Sequence, residues 1–67
     1  MSFETKVLSI ANRALQEGEK AEFYAGSLFL NCAEKTSRKV FSDLFMEFKG
    51  RVLISKTPAE YVIDFTA

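Results

Sequence analysis

The stretch Lys20-Ala21-Glu22-Phe23-Tyr24-Ala25-Gly26-Ser27-Leu28-Phe29-Leu30-Asn31-Cys32-Ala33-Glu34 decides the fold, because its apolar residues satisfy two periods at once. At 3.6 residues per turn, Ala21, Phe23, Tyr24, Ala25, Leu28, Phe29, Leu30, Cys32 and Ala33 wrap a helix on nearly all sides. Such a helix is buried between neighbours or at an interface between chains. At period two, Tyr24, Gly26, Leu28, Leu30 and Cys32 alternate as in a strand, and that reading stays open. The length of the run and its small residues favour a helix over 20–34. Gly26 costs about 1 kcal/mol in a helix interior, so a close backbone approach is its expected reason.

Upstream, Ser2 offers an N-cap, and Phe3, Val7, Ile10, Ala11 and Ala14 recur at helical spacing opposite Lys6, Ser9, Arg13 and Gln16. This predicts an amphipathic helix over 2–17 stopped by Gly18. Downstream, Thr36 and Ser37 offer a second cap for a helix over 37–49 closed by Gly50. Val40, Phe41, Leu44, Phe45 and Phe48 form its apolar face, opposite Lys39, Ser42, Asp43, Met46 and Lys49. Beyond Gly50 the period changes. Arg51–Ser55 and Tyr61–Phe65 are β-rich runs joined by Lys56–Glu60, with Pro58 suited to a turn, so a hairpin is predicted over 51–65. The predicted fold class is α+β, three helices followed by a C-terminal β-hairpin, in a single domain over 1–67.

The 67 residues limit the core, since a chain of this size buries only about 60% of its unfolded surface. A hydrophobic share of 48% with zero net charge argues against disorder. Cys32 has no partner for a disulfide, which points to a reducing, cytoplasmic setting. With no histidine and one cysteine, zinc and haem sites built from those residues are not expected. The usual general base near neutral pH is missing too, so neither a cofactor nor enzymatic activity is expected. Glu17, Glu19 and Glu22 form an acidic cluster that reads as a solvated turn rather than a cation site. No basic leader precedes an apolar run at Met1–Lys6, so no signal peptide is expected. Phe23–Ala33 is about half the length of a membrane span.

Thr36-Ser37-Arg38-Lys39-Val40 resembles the opening of a recognition helix, with Leu44 and Phe48 as its core positions. Lys49-Gly50-Arg51-Val52 resembles the step into a wing, and Tyr61-Val62-Ile63 its returning strand. Over residues 36–65 the chain therefore resembles a winged helix-turn-helix domain. The resemblance implies a small DNA-binding transcriptional regulator. In it Ser37, Arg38, Lys39 and Ser42 would face the major groove and Lys56 would approach a phosphate at the wing tip. Charge adds to this: residues 35–56 carry Lys35, Arg38, Lys39, Lys49, Arg51 and Lys56 against Asp43 and Glu47, a net of +4 within a neutral chain.

A second function class competes. Seven phenylalanines, the all-round apolar stretch and the spare Leu8 and Leu15 exceed what one small core requires. On this reading the chain is a protein-binding inhibitor or adaptor, of the type found among small phage or accessory-element proteins. It would act through Leu8, Leu15, Phe23, Tyr24, Leu28 and Met46, or through the open edge of the final hairpin. A homodimer through the first two helices is the corresponding expectation.

Overall fold

Residues 20–34 hold a β-hairpin, not a helix. The computed structural model describes residues 1–66. Its elements are α1 (Phe3–Ala14), β1 (Lys20–Tyr24), β2 (Ser27–Asn31), α2 (Glu34–Glu47), β3 (Val52–Lys56) and β4 (Tyr61–Phe65). Three helices followed by a hairpin therefore give way to two helices and a four-stranded antiparallel sheet of order β1-β2-β4-β3. The reason lies at Ala25-Gly26, where both residues have positive φ, 52° and 83°. Two such residues between the paired Tyr24 and Ser27 make the type I′ turn that matches strand twist. A helix would waste that turn, whereas period two buries Leu28 and Leu30 completely and half-buries Ala21 and Phe23.

The predicted hairpin over 51–65 forms, as β3 paired with β4 from Val52↔Phe65 to Lys56↔Tyr61. It does not stand out as a wing, because β4 also pairs with β2 through Leu28↔Ile63 and Leu30↔Tyr61. The order β1-β2-β4-β3 reads the same from either edge once the two αββ halves are exchanged. Both helices pack on one sheet face. Val7, Ile10 and Ala11 of α1 and Val40 and Leu44 of α2 share one core with Leu28, Leu30, Val52 and Ile63.

Both helices have shifted ends. Ser2 does cap α1, its Oγ accepting from Thr5 N at 3.1 Å, but the helix stops at Ala14 and not at Glu17. The α2 helix begins at Glu34, so Thr36 and Ser37 lie buried in its first turn and do not cap it. It ends where Lys49 (φ 55°) and Gly50 (φ 82°) turn the chain, Gly50 N–H donating to Phe45 O at 2.8 Å.

The phenylalanines divide three ways. Phe3, Phe23, Phe48 and Phe65 close one end of the core as a cluster of edge-on rings, with centroids 5.0 to 6.2 Å apart. Phe41 packs on Phe45 in a tilted pair with centroids 5.7 Å apart at the margin of α2, where Phe45 stays 46% exposed rather than in the core its spacing predicts. Phe29 lies on the opposite sheet face.

Two outcomes test this packing. Leu28→Ala, at a site with no exposed surface, lowers stability by about 3 kcal/mol or more in chemical denaturation, while Phe45→Ala costs about 1 kcal/mol. Ala25→Asn raises the melting temperature by relieving about 1 kcal/mol of left-handed backbone strain, since Asn tolerates this conformation better.

Candidate protein-binding face

Two helices cover one face of the sheet and leave the other without a lid. Period two sends Lys20, Glu22 and Tyr24 of β1 to that open face, with Ser27, Phe29 and Asn31 of β2 beside them. Val62 and Asp64 of β4 and Leu53 and Ser55 of β3 complete it. Phe29 sits opposite Val62 across the central pair and opposite Glu22 on the other side. Tyr24 is 68% exposed and Leu53 62% exposed, while Phe29 and Val62 are half-buried. The result is an apolar stripe across four strands. Glu22 and Glu60 line a shallow depression with Tyr24 and Phe29, and Asp64 accepts a hydrogen bond from Ser27 Oγ.

The charges around this stripe differ from those on the helices. Three of the four helix acids are paired, Glu47 with Lys6 at 2.7 Å, Asp43 with Lys39 at 3.0 Å, and Glu34 with Arg38, while among the described residues Glu4 in the first turn of α1 is not. The Lys6 ammonium, by its hydrogen bond and then by its charge, holds the Glu47 carboxyl below its ordinary range. Among the described residues, Glu22, Glu60 and Asp64 form no ion pair. Against them the face sets Lys20, with Arg51 in phase with Leu53 at the start of β3.

The residues predicted for DNA contact do not share one surface. Ser37 is 1% exposed, its Oγ donating to Glu34 O at 2.7 Å. Arg38 and Lys39 are tied to acids on their own helix, and Ser42 is exposed. Lys49 and Arg51 flank the start of β3, whereas Lys56 ends it, with Nζ donating to Thr57 O at 2.6 Å and lying 5.2 Å from the Tyr61 ring centre. Arg38 and Lys56 do come together, along one groove with Ile54 and Tyr61.

The residues predicted for a protein interface also scatter. Leu28 is core, Phe23 belongs to the aromatic cluster, and Leu8 and Leu15 are half-buried, Leu8 against the core. The homodimer surface of two apolar helices is absent, because its second helix is β1 and β2. Met46, 78% exposed, lies on α2 beside Arg13 and Asp43, on the far side of the sheet from Tyr24. Of the six, Tyr24 alone falls on the open sheet face. Phe29, Leu53 and Val62 were missed there, although each stands one residue out of phase with a buried neighbour, which is the available signal.

The acidic cluster resolves into separate roles. Glu17 is exposed and Glu22 belongs to the open face, but Glu19 is a structural clamp. Its Oε1 accepts from Gln16 N at 2.8 Å, and its Oε2 accepts from Ala33 N at 2.8 Å and Thr36 Oγ1 at 3.1 Å. Ala33 is the N-cap of α2 and has no side-chain cap of its own. Glu19 thus does from a distance what the glutamate of a capping box does locally. The Ala33 and Gln16 amides hold its carboxyl below the ordinary value of 4.5. Burial, then the nearby Glu19 charge, raises the Cys32 thiol, which keeps it protonated and unreactive near neutral pH.

Among the described residues no group of three His, Cys, Asp or Glu side chains is placed to hold a metal ion, and no helix is long and apolar enough to cross a membrane. No family model, curated protein or solved structure matches the chain.

Because Glu19 is more acidic in the fold than in the unfolded chain, its contribution is present above the ordinary carboxylate value and fades as pH falls through the lowered one. Glu19→Gln therefore lowers the urea midpoint at pH 7, and its deficit against wild type narrows toward pH 3. An equal deficit at both pH values would show that the carboxylate charge is not what clamps α2.

Proposed function

We propose that the chain is a small protein-binding module, an adaptor or inhibitor, whose open sheet face takes a partner segment with an apolar centre and a lysine- or arginine-bearing rim. The observation that carries this reading is the uncovered stripe of Tyr24, Phe29, Leu53 and Val62 among the unpaired Glu22, Glu60 and Asp64. Contiguous exposed apolar surface on a small domain marks an interaction site. The acids select the partner's sign and argue against a second copy, since face-to-face docking would set three carboxylates against the same three. Tyrosine supplies a rigid contact with a polar tip, which suits an interface anchor.

The test is selection from a displayed library of random twelve-residue peptides. Enriched binders carry Lys or Arg beside aromatic or branched residues. Tyr24→Ala weakens them by about 2 kcal/mol, roughly thirtyfold, as loss of an aromatic anchor does. Glu22→Lys also weakens them, and both variants keep the wild-type circular dichroism because these side chains support no core. Binders without cations, or binders indifferent to Tyr24→Ala, would overturn the proposal. So would tight binding of random duplex DNA at about 50 mM salt that is lost on Arg38→Ala, which favours the nucleic-acid function instead.

A further inference from the structure

We propose that the outer edge of β3 is a strand-addition site for an extended, acid-flanked segment of a partner protein. This second surface is distinct from the open sheet face and does not depend on it.

The edge is defined by hydrogen bonding. Thr66 N donates to Arg51 O at 3.0 Å and Thr57 N donates to Glu60 O at 2.8 Å, in the register that joins β3 to β4. In an antiparallel ladder the bonded residues alternate, so Leu53 and Ser55 spend their amides on β4. The amides and carbonyls of Ile54 and Lys56 then point away from β4, to the side where no fifth strand lies. Natural edges of this kind are shortened, charged or covered. Here α2 stops short of covering: Ile54 remains 37% exposed and Phe45 46% exposed, although Ile54 points toward the helix layer.

Beside that edge runs a groove of about 250 Å³ lined by Ser37, Arg38, Ile54, Lys56 and Tyr61, apolar along most of its floor. A residue of an added strand placed opposite Ile54 sends its side chain to the same face, into this groove. The backbone edge and the pocket thus coincide, as strand addition requires: main-chain bonds for affinity and an adjacent pocket for selectivity.

Charge chooses the occupant. Arg51 and Lys56 bracket the strand and Arg38 stands at the groove, against Glu34, which Arg38 already holds. A second copy added antiparallel about Ile54 would set Val52 against Lys56 and offer no acid to Arg51 or Lys56, and a parallel copy would set Arg51 beside Arg51. Like charges directly opposite destabilise a pair of strands. A strand with Asp or Glu at its ends and a branched apolar residue in the middle meets both conditions.

The experiment uses the full chain and a fluorescein-labelled peptide, Asp-Thr-Val-Thr-Val-Asp, with a Lys-ended peptide of the same interior as its counterpart. The acidic peptide binds by anisotropy at least about tenfold more tightly than the Lys-ended one, the size of effect two charge contacts supply. Lys56→Glu, at an exposed side chain that leaves the core intact, abolishes the preference. Amide shifts on binding centre on Val52–Lys56, and hydrogen exchange slows at Ile54 and Lys56. No binding, equal affinity for the two peptides, or shifts centred on Tyr24 and Phe29 would each overturn the inference. The last result would still support docking on the open sheet face. Concentration-dependent dimerisation that protects the Ile54 and Lys56 amides would overturn it in favour of self-pairing.

Discussion

Everything in this molecule hangs on the antiparallel seam between β2 and β4. The N-terminal half offers α1 and a two-stranded ribbon, and the C-terminal half offers α2 and another. Neither ribbon alone is stable in water. Pairing Leu28 with Ile63 joins them, places two fully buried residues at the centre of the sheet, and gives α1 and α2 one continuous apolar floor. The partners lie 35 positions apart in the chain, so closing the seam costs more chain entropy than closing either hairpin. The turn at Ala25-Gly26 sets the register within the first ribbon, and the Glu19 clamp ties the end of α1 to the start of α2.

From the seam follows the asymmetry that makes a functional face. Two short helices suffice to cover one side of a four-stranded sheet, and among the described residues nothing lies over the other. An antiparallel sheet tolerates a solvated face when the outward residues are polar. In this sheet Tyr24, Phe29, Leu53 and Val62 break that pattern, while Lys20, Glu22, Ser27, Asn31, Ser55 and Asp64 keep it.

The legibility of the sequence follows the same physics. The amphipathic α1, the apolar face of α2 and the terminal hairpin are readable because each carries a single period over its own length. The segment 20–34 is not, because two strands joined by a two-residue turn make a run as long and as apolar as a helix. Period-two burial in β1 falls on Ala21 and Phe23 and in β2 on Leu28 and Leu30, with the phase reset across Ala25-Gly26. A single alternation drawn through the whole segment misses that reset and puts Tyr24 with Leu28. Read separately, the two halves alternate cleanly. Thr36 and Ser37 mislead for a different reason: they are good caps in isolation, but Glu19 caps the helix from seventeen residues upstream of Thr36, which no local pattern records. The winged-helix resemblance over 36–65 rests on the order helix then hairpin, and that order is kept. What the resemblance needs upstream is occupied by half of a sheet.

The distribution of charge is set by topology rather than by composition. Nine basic and nine acidic residues cancel over the chain, yet the cations concentrate in residues 35–56, which build α2 and β3. Strand order sends β3 to the edge and β4 to the centre, so the cations of β3 stand at one margin while Glu60 and Asp64 join Glu22 on the open face. In α2 two ion pairs, Glu34–Arg38 and Lys39–Asp43, are made within one turn, where an exposed pair is worth less than about 1 kcal/mol. On the sheet face Glu22, Glu60 and Asp64 stand outside any ion pair among the described residues, while Arg51 and Lys56 bracket β3. On the proposed reading, a basic segment on the sheet and an acidic strand at the edge would meet charges of opposite sign, so the two surfaces would not compete for one ligand.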